Sequence, residues 1–95
     1  MNHEFRQYRL ARIEGYNITR ARLQSQFANG IGDPGEFGKA IAEQLTTPPL
    51  AIAGWRKSEM EQAGIREGTR LAALEFFWEH REEIRAATLA QIRLG

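Results

Sequence analysis

Cysteine and valine are both absent from this chain of 95 residues, and only three prolines and two histidines are present. Without cysteine there is no disulfide staple, no thiolate nucleophile and no Cys-based zinc site. Without valine, the aliphatic load falls on Ile, Leu and Ala among many Arg, Gln and Glu, a mixture that favours helix over strand. No apolar run approaches the roughly 18 residues of a membrane span, and the N-terminus is too polar for a signal peptide's apolar stretch. These two features point to a cytoplasmic protein with no membrane partner. Charge of one sign is also missing. Thirteen Lys and Arg against twelve Asp and Glu leave +1, so no global field advertises a polyanionic partner.

Apolar residues make up 42% and charged residues 26% of the chain, the balance of a folded globular protein. The length suits one domain, residues 1–95, whose core must draw on most of its large apolar side chains. The expected architecture is all-α: a small bundle of about five to six short helices. Residues 4–14 read as a helix although Phe5, Tyr8, Leu10 and Ile13 do not share one face, and Gly15 and Asn17 then punctuate the chain. Thr19 is placed to cap a short helix to about Ala28, which Asn29 and Gly30 stop.

The segment Asp33-Pro34-Gly35-Glu36 has the form of a capping box with proline in the first turn, opening a helix of about 34–45 with Phe37, Ala40, Ile41 and Leu45 on one face. Thr47 with Pro48 and Pro49 starts a further helix through Leu50, Ile52, Ala53 and Trp55 to about Lys57. Ser58 and Glu61 form a second capping box, and Gly64 with Ile65 reads as a helix stop. From about Glu67 to Leu94 the pattern is helical, as one helix or as two broken near His80–Glu82. Leu71, Leu74, Phe77, Trp78, Ile84, Thr88, Leu89 and Ile92 fall in one stripe at about 100° per residue. Phe76 lies off that stripe, where it is either buried by the N-terminal half or left for a partner.

Several motifs carry the letters of a chemical site without its context. Gly30-Ile-Gly-Asp-Pro-Gly35 matches G-x-G-x-x-G, but no buried strand precedes it and Asp33 would set a carboxylate where a pyrophosphate should lie. Gly38-Lys39 has the wrong spacing from Gly32 for a P-loop, with Ala40 where the magnesium ligand belongs. His80 and Glu83 share a helix face but lack further metal ligands, and neither His3 nor His80 has a nucleophile to serve. Asn17-Ile18-Thr19 is a glycosylation sequon by letters alone. The sequence therefore offers no catalytic constellation, cofactor loop or metal site, and an enzyme is not expected.

Residues 37–57, FGKAIAEQLTTPPLAIAGWRK, resemble the helix-turn-helix of phage-repressor-type DNA-binding proteins. That resemblance implies a first helix packed across a second, recognition helix that enters the major groove of double-stranded DNA. Ala42 would be the small residue at the helix contact, Thr46 would take the turn position, and Ile52 and Trp55 would anchor the second helix inside. Pro48, Pro49, Leu50 and Ala51 carry no side-chain hydrogen-bonding group for base edges, so the implied contacts run mainly to phosphates. Arg20, Arg22, Lys39, Thr46, Thr47, Arg56 and Lys57 are the residues placed to make them.

Charge is divided to match. Residues 1–57 hold eight basic against five acidic groups, and residues 58–95 hold five Arg against seven Glu. A basic half with an acidic C-terminal half fits a small DNA-binding regulator whose C-terminal stripe pairs two copies. The alternative is a protein-interaction module, an adaptor or inhibitor of a larger protein. Its anchors would be Phe76, Phe77, Trp78, Ile84, Leu89 and Ile92, since the segment is rich in large side chains and Trp and Phe serve as interface anchors.

Overall fold

A computed structural model describes residues 3–46 and 58–94, and there the chain is all-helical. Four helices are present among the described residues: α1 (His3–Gln26), α2 (Pro34–Thr46), α3 (Glu59–Glu79) and α4 (Arg81–Leu94). The expected count of five to six therefore falls to four over those residues. The proposed helix over 47–57, with Ile52 and Trp55, lies outside them, as does the packing of a helix-turn-helix pair.

Helix α1 is one continuous element of 24 residues, not two helices separated at Gly15. The reason lies in what α1 touches. Its buried positions are Ala11, Gly15, Thr19 and Leu23, a row at every fourth residue composed mostly of small side chains. The facing row on α3 is Gly64, Gly68, Ala72 and Phe76, also buried and also mostly small. Rows at i and i+4 form one of the ridges by which helices pack.

Glycine lets the two backbones approach beyond what a Cβ permits. A Cβ built on Gly68 would lie 2.8 Å from the Tyr16 amide nitrogen and against the Arg12 carbonyl oxygen. One on Gly64 would meet the Tyr8 carbonyl and lie 3.1 Å from the Arg12 nitrogen; one on Gly15 would sit 2.9 Å from the Ile65 Cα. Gly64 and Ile65 thus belong to the interior of α3 and do not end a helix. Gly15 likewise marks a contact and no break.

The contacts also fix direction. Tyr8 and Arg12 meet Gly64 and Gly68, Thr19 meets Thr69, and Arg20 meets Glu79, so α1 and α3 run parallel. Deep in this pair the Thr19 hydroxyl donates to the Thr69 hydroxyl oxygen at 3.2 Å, both side chains being buried. Thr19 is consequently a mid-helix residue, not the helix cap its position after Asn17 suggested. At the helix edge Arg20 is held by Glu79 at 2.8 Å and by Glu75 at 3.6 Å, and Tyr16 donates to Glu75.

The capping signals around α2 and α3 are present. The Asp33 carboxylate accepts the Glu36 N–H at 3.0 Å, and Pro34 opens α2. Ser58 and Glu61 exchange both bonds of a capping box at the start of α3. Gly30 and Gly32 adopt positive φ, the conformation that reverses the chain between α1 and α2. Leu23, Ile31, Phe37, Ile41, Ala73 and Phe76 then form the buried cluster, with Phe27, Ile84 and Ala87 packed on it. Phe37 is its centre, meeting Phe27 edge-on at 4.8 Å and stacking on Phe76 at 6.0 Å.

Residues 67–94 are two helices, broken at His80. The His80 N–H closes the last turn of α3 on Phe77 and Trp78, and its ring packs 4.3 Å from Phe76. Its Nδ1 lies 2.8 Å from the Phe76 carbonyl, so this nitrogen carries the proton and donates. Past the break, α4 is tied back by Glu83, which accepts the Ile31 N–H at 2.8 Å, and by Gln91, which donates to Asp33.

The glycine contact makes a test by opposite signs. Gly68→Ala should lower stability by about 1–3 kcal/mol because the added methyl forces two backbones apart. Gly38→Ala, in helix α2 with nothing within 4 Å of the new Cβ, should raise stability by about 0.5–1 kcal/mol. Urea unfolding of the two variants reads both. Equal gains in both variants would contradict the close approach.

Candidate functional site

Burial divides α3 into an inner row of small residues and an outer row of large ones. Leu71, Leu74 and Trp78 are 39%, 44% and 64% exposed, while Ala72, Ala73 and Phe76 are buried. On a helix with about 100° per residue, Leu71, Leu74 and Trp78 fall within an arc of about 60°. Met60, itself exposed, lies on the same side near the start of α3. The outer row is a ridge of large apolar side chains facing solvent.

The ridge continues onto α1. Ile13 and Leu71 line one open groove with Arg12 and Tyr16, and Ile13 is exposed, as is Leu10 one turn earlier. Scattered exposed leucines are ordinary on any protein, whereas a contiguous apolar patch marks an interaction surface. At the far end of the ridge, the Arg81 guanidinium lies 4.3 Å over the Trp78 ring and donates to the Trp78 carbonyl at 2.9 Å. Glu67 and Arg70 form a two-bond pair at 2.8 and 3.1 Å beside Leu71. That hydrogen bonding from Arg70 holds the Glu67 carboxyl below its ordinary range, so Glu67 is ionised near neutrality.

The six residues expected as partner anchors separate into groups. Phe76 is 3% exposed and belongs to the core, which corrects its placement as an interface residue. Its ring closes on Phe37 and His80, and the Arg20 guanidinium covers it at 5.5 Å. Ile84 is partly buried against the same cluster and holds α4 in place. Phe77 is exposed on one side and stacks on Phe37 on the other, at 6.1 Å. Trp78, Leu89 and Ile92 are exposed. Leu71 and Leu74 join Trp78 as surface residues, although their stripe included half-buried Ile84.

The described residues expected to meet phosphates are divided between α1, with Arg20 and Arg22, and α2, with Lys39 and Thr46. Arg20 is engaged by Glu75 and Glu79 and lies over the Phe76 ring, which leaves its side chain 18% exposed. Burial lowers the pKa of Arg20, but its hydrogen bond and charge pairing with Glu79 outweigh this and leave it raised. Arg22 is half-buried on α1 and Lys39 exposed on α2. The Thr46 hydroxyl donates back to the Ala42 carbonyl at 3.1 Å, closing the end of its own helix. Ala42, the expected small contact residue of the helix pair, is exposed. Thr47, Arg56 and Lys57 lie outside the described residues.

Comparison of the chain with protein-family models, with curated proteins and with solved structures yields no match. Among the described residues no helix is long and apolar enough to cross a membrane.

Two measurements check this partition. Phe76→Ala should lower stability by about 3–5 kcal/mol, as for any large core aromatic. Trp78→Ala should stay within about 0.5 kcal/mol of the parent, as for an exposed position. A large loss for Trp78→Ala would show the ridge to be interior.

The Tyr16 contact carries a pH signature. Its hydrogen bond to Glu75, then burial, then the Glu75 charge raise the Tyr16 pKa above 10.0. The folded state therefore retains this proton longer than the unfolded chain does. Tyr16 contributes stability below pH 10 that declines as pH rises from there through its raised pKa. Alkaline unfolding of the parent should show this decline, and Tyr16→Phe should lack it; identical alkaline profiles would contradict the contact.

Proposed function

We propose that this chain is a helical protein-interaction module that docks through the apolar ridge of α3. The observation that carries the proposal is the exposure of Leu71, Leu74 and Trp78 within one arc of a helix whose other side packs on α1. Removing such side chains from water yields about 25 cal/mol per Å² of apolar surface, so a partner face of complementary shape would gain from covering them. Trp78 supplies the aromatic anchor, and the Glu67–Arg70 pair and Arg81 supply a polar rim.

DNA binding remains the second reading. Among the described cations expected for it, Lys39 and Arg22 are the ones without an internal partner, and they sit on different helices. Phosphate-driven binding strengthens with the number of cations that displace counterions, so the engagement of Arg20 by Glu75 and Glu79 weighs towards the protein partner.

One paired experiment separates the readings. A photo-crosslinking residue at Leu74 should form adducts with protein, while the same residue at Ser25, an exposed position near the end of α1, should not. Fluorescence anisotropy with random duplex at low salt should show no binding. Salt-sensitive duplex binding together with an inert position 74 would overturn the docking function and restore the DNA-binding one.

A further inference from the structure

We propose that the occupant of the α3 ridge is a second copy of this chain, the two ridges meeting antiparallel about a twofold axis at Leu74. The proposal rests on the docking reading and adds to it the identity of the partner. Its support is the order of charges along the ridge. Glu67, Leu71, Leu74 and Trp78 recur along α3 at spacings of four, three and four, the repeat of a helix seam, and Arg81, the first residue of α4, lays its guanidinium over Trp78 at the far end. Leu74 lies between the two charges: Glu67 stands seven residues before it on α3, and the guanidinium of Arg81, past the break at His80, lies over Trp78 on the other side.

A twofold axis at Leu74 reverses one copy on the other, so residues equally far from Leu74 on opposite sides face each other. Glu67 then faces Arg81 of the second copy, and its own Arg81 faces the second copy's Glu67, giving the pair twice. Leu71 falls opposite the second copy's Phe77, Trp78 falls opposite its Arg70, and Leu74 meets Leu74. An isologous interface requires this kind of self-complementarity, in which one surface carries both halves of each contact. A parallel arrangement would set Glu67 on Glu67 and Arg81 on Arg81, and like charges in register are unfavourable.

The monomer already holds both partners in place. Arg81 lies over Trp78, so its guanidinium is presented at the rim of the ridge. Glu67 is fixed by two bonds from Arg70, which orients the carboxylate without consuming its remaining acceptor capacity. Pairing would therefore immobilise side chains that are already largely ordered, which lowers the entropic cost of association. The seam is short, and the pairing is expected to be reversible and concentration-dependent.

The test is sedimentation of the whole chain over a concentration series, with four variants. The parent should pass from monomer to dimer as concentration rises. Leu74→Glu, which brings two carboxylates together on the axis, should remain monomeric. Glu67→Arg and Arg81→Glu should each weaken the dimer by about tenfold, and the double variant Glu67→Arg/Arg81→Glu should recover most of that loss. A parent that stays monomeric at every concentration, a dimer indifferent to Leu74→Glu, or a double variant no better than the singles would each overturn the proposal. Urea unfolding of Leu74→Glu separates this failure from that of the docking reading. A stable Leu74→Glu chain with a monomeric parent removes only the second copy as occupant. A Leu74→Glu chain that loses core-scale stability shows the ridge to be interior and removes both.

Discussion

The close approach of α1 and α3 organises everything else in this molecule. Glycine inside a helix is unfavourable by roughly 0.5–1 kcal/mol relative to alanine, and Gly15, Gly64 and Gly68 are all helix-interior. What offsets them is contact between two backbones, which brings many atom pairs to van der Waals distance along rows of small residues. Thr19 and Thr69 add a buried hydrogen bond across the seam. Since α1 and α3 are parallel, the chain must travel back between them, and α2 uses part of that return to bring Phe37 over Phe76.

A seam made of small side chains has a consequence for the large ones. Phe76 reaches the core because it follows Gly64, Gly68 and Ala72 at the same four-residue spacing. Leu71, Leu74 and Trp78 lie off that row, and the rotation of the helix that buries the glycines turns them outward. The exposed ridge and the glycine seam are therefore two sides of one geometric choice. The charged groups follow it too. Arg20, Glu75 and Glu79 fasten the edge between α1 and α3, while Glu67, Arg70 and Arg81 stand beside the ridge.

This inversion explains what the sequence disclosed and what it hid. The all-α class followed from composition, and the starts of α2 and α3 followed from Asp33-Pro34 and Ser58 with Glu61, because a cap is a local interaction between neighbours. The break at His80 was legible as one of two options. The continuity of α1 was not, because Gly15 has the letters of a helix breaker and only a partner helix shows its purpose. Periodicity among the large apolar residues selects the outer row of α3 and leaves Phe76 off the stripe. The signal that locates the seam is the four-residue repeat of small residues, Ala11-Gly15-Thr19 and Gly64-Gly68-Ala72. Arg20 counted as a free cation in the sequence because Glu75 and Glu79 are far from it along the chain.

The register of α1 on α3 can be read by a crosslink, since the chain has no cysteine of its own. Thr19→Cys with Thr69→Cys places two thiols where the hydroxyl oxygens now lie 3.2 Å apart. The account predicts that oxidation closes an intramolecular disulfide and, by linking residues 50 apart, raises stability by about 4 kcal/mol. A pair that remains reduced, or that crosslinks only between separate chains, would contradict the parallel glycine seam and the exposed ridge that depends on it.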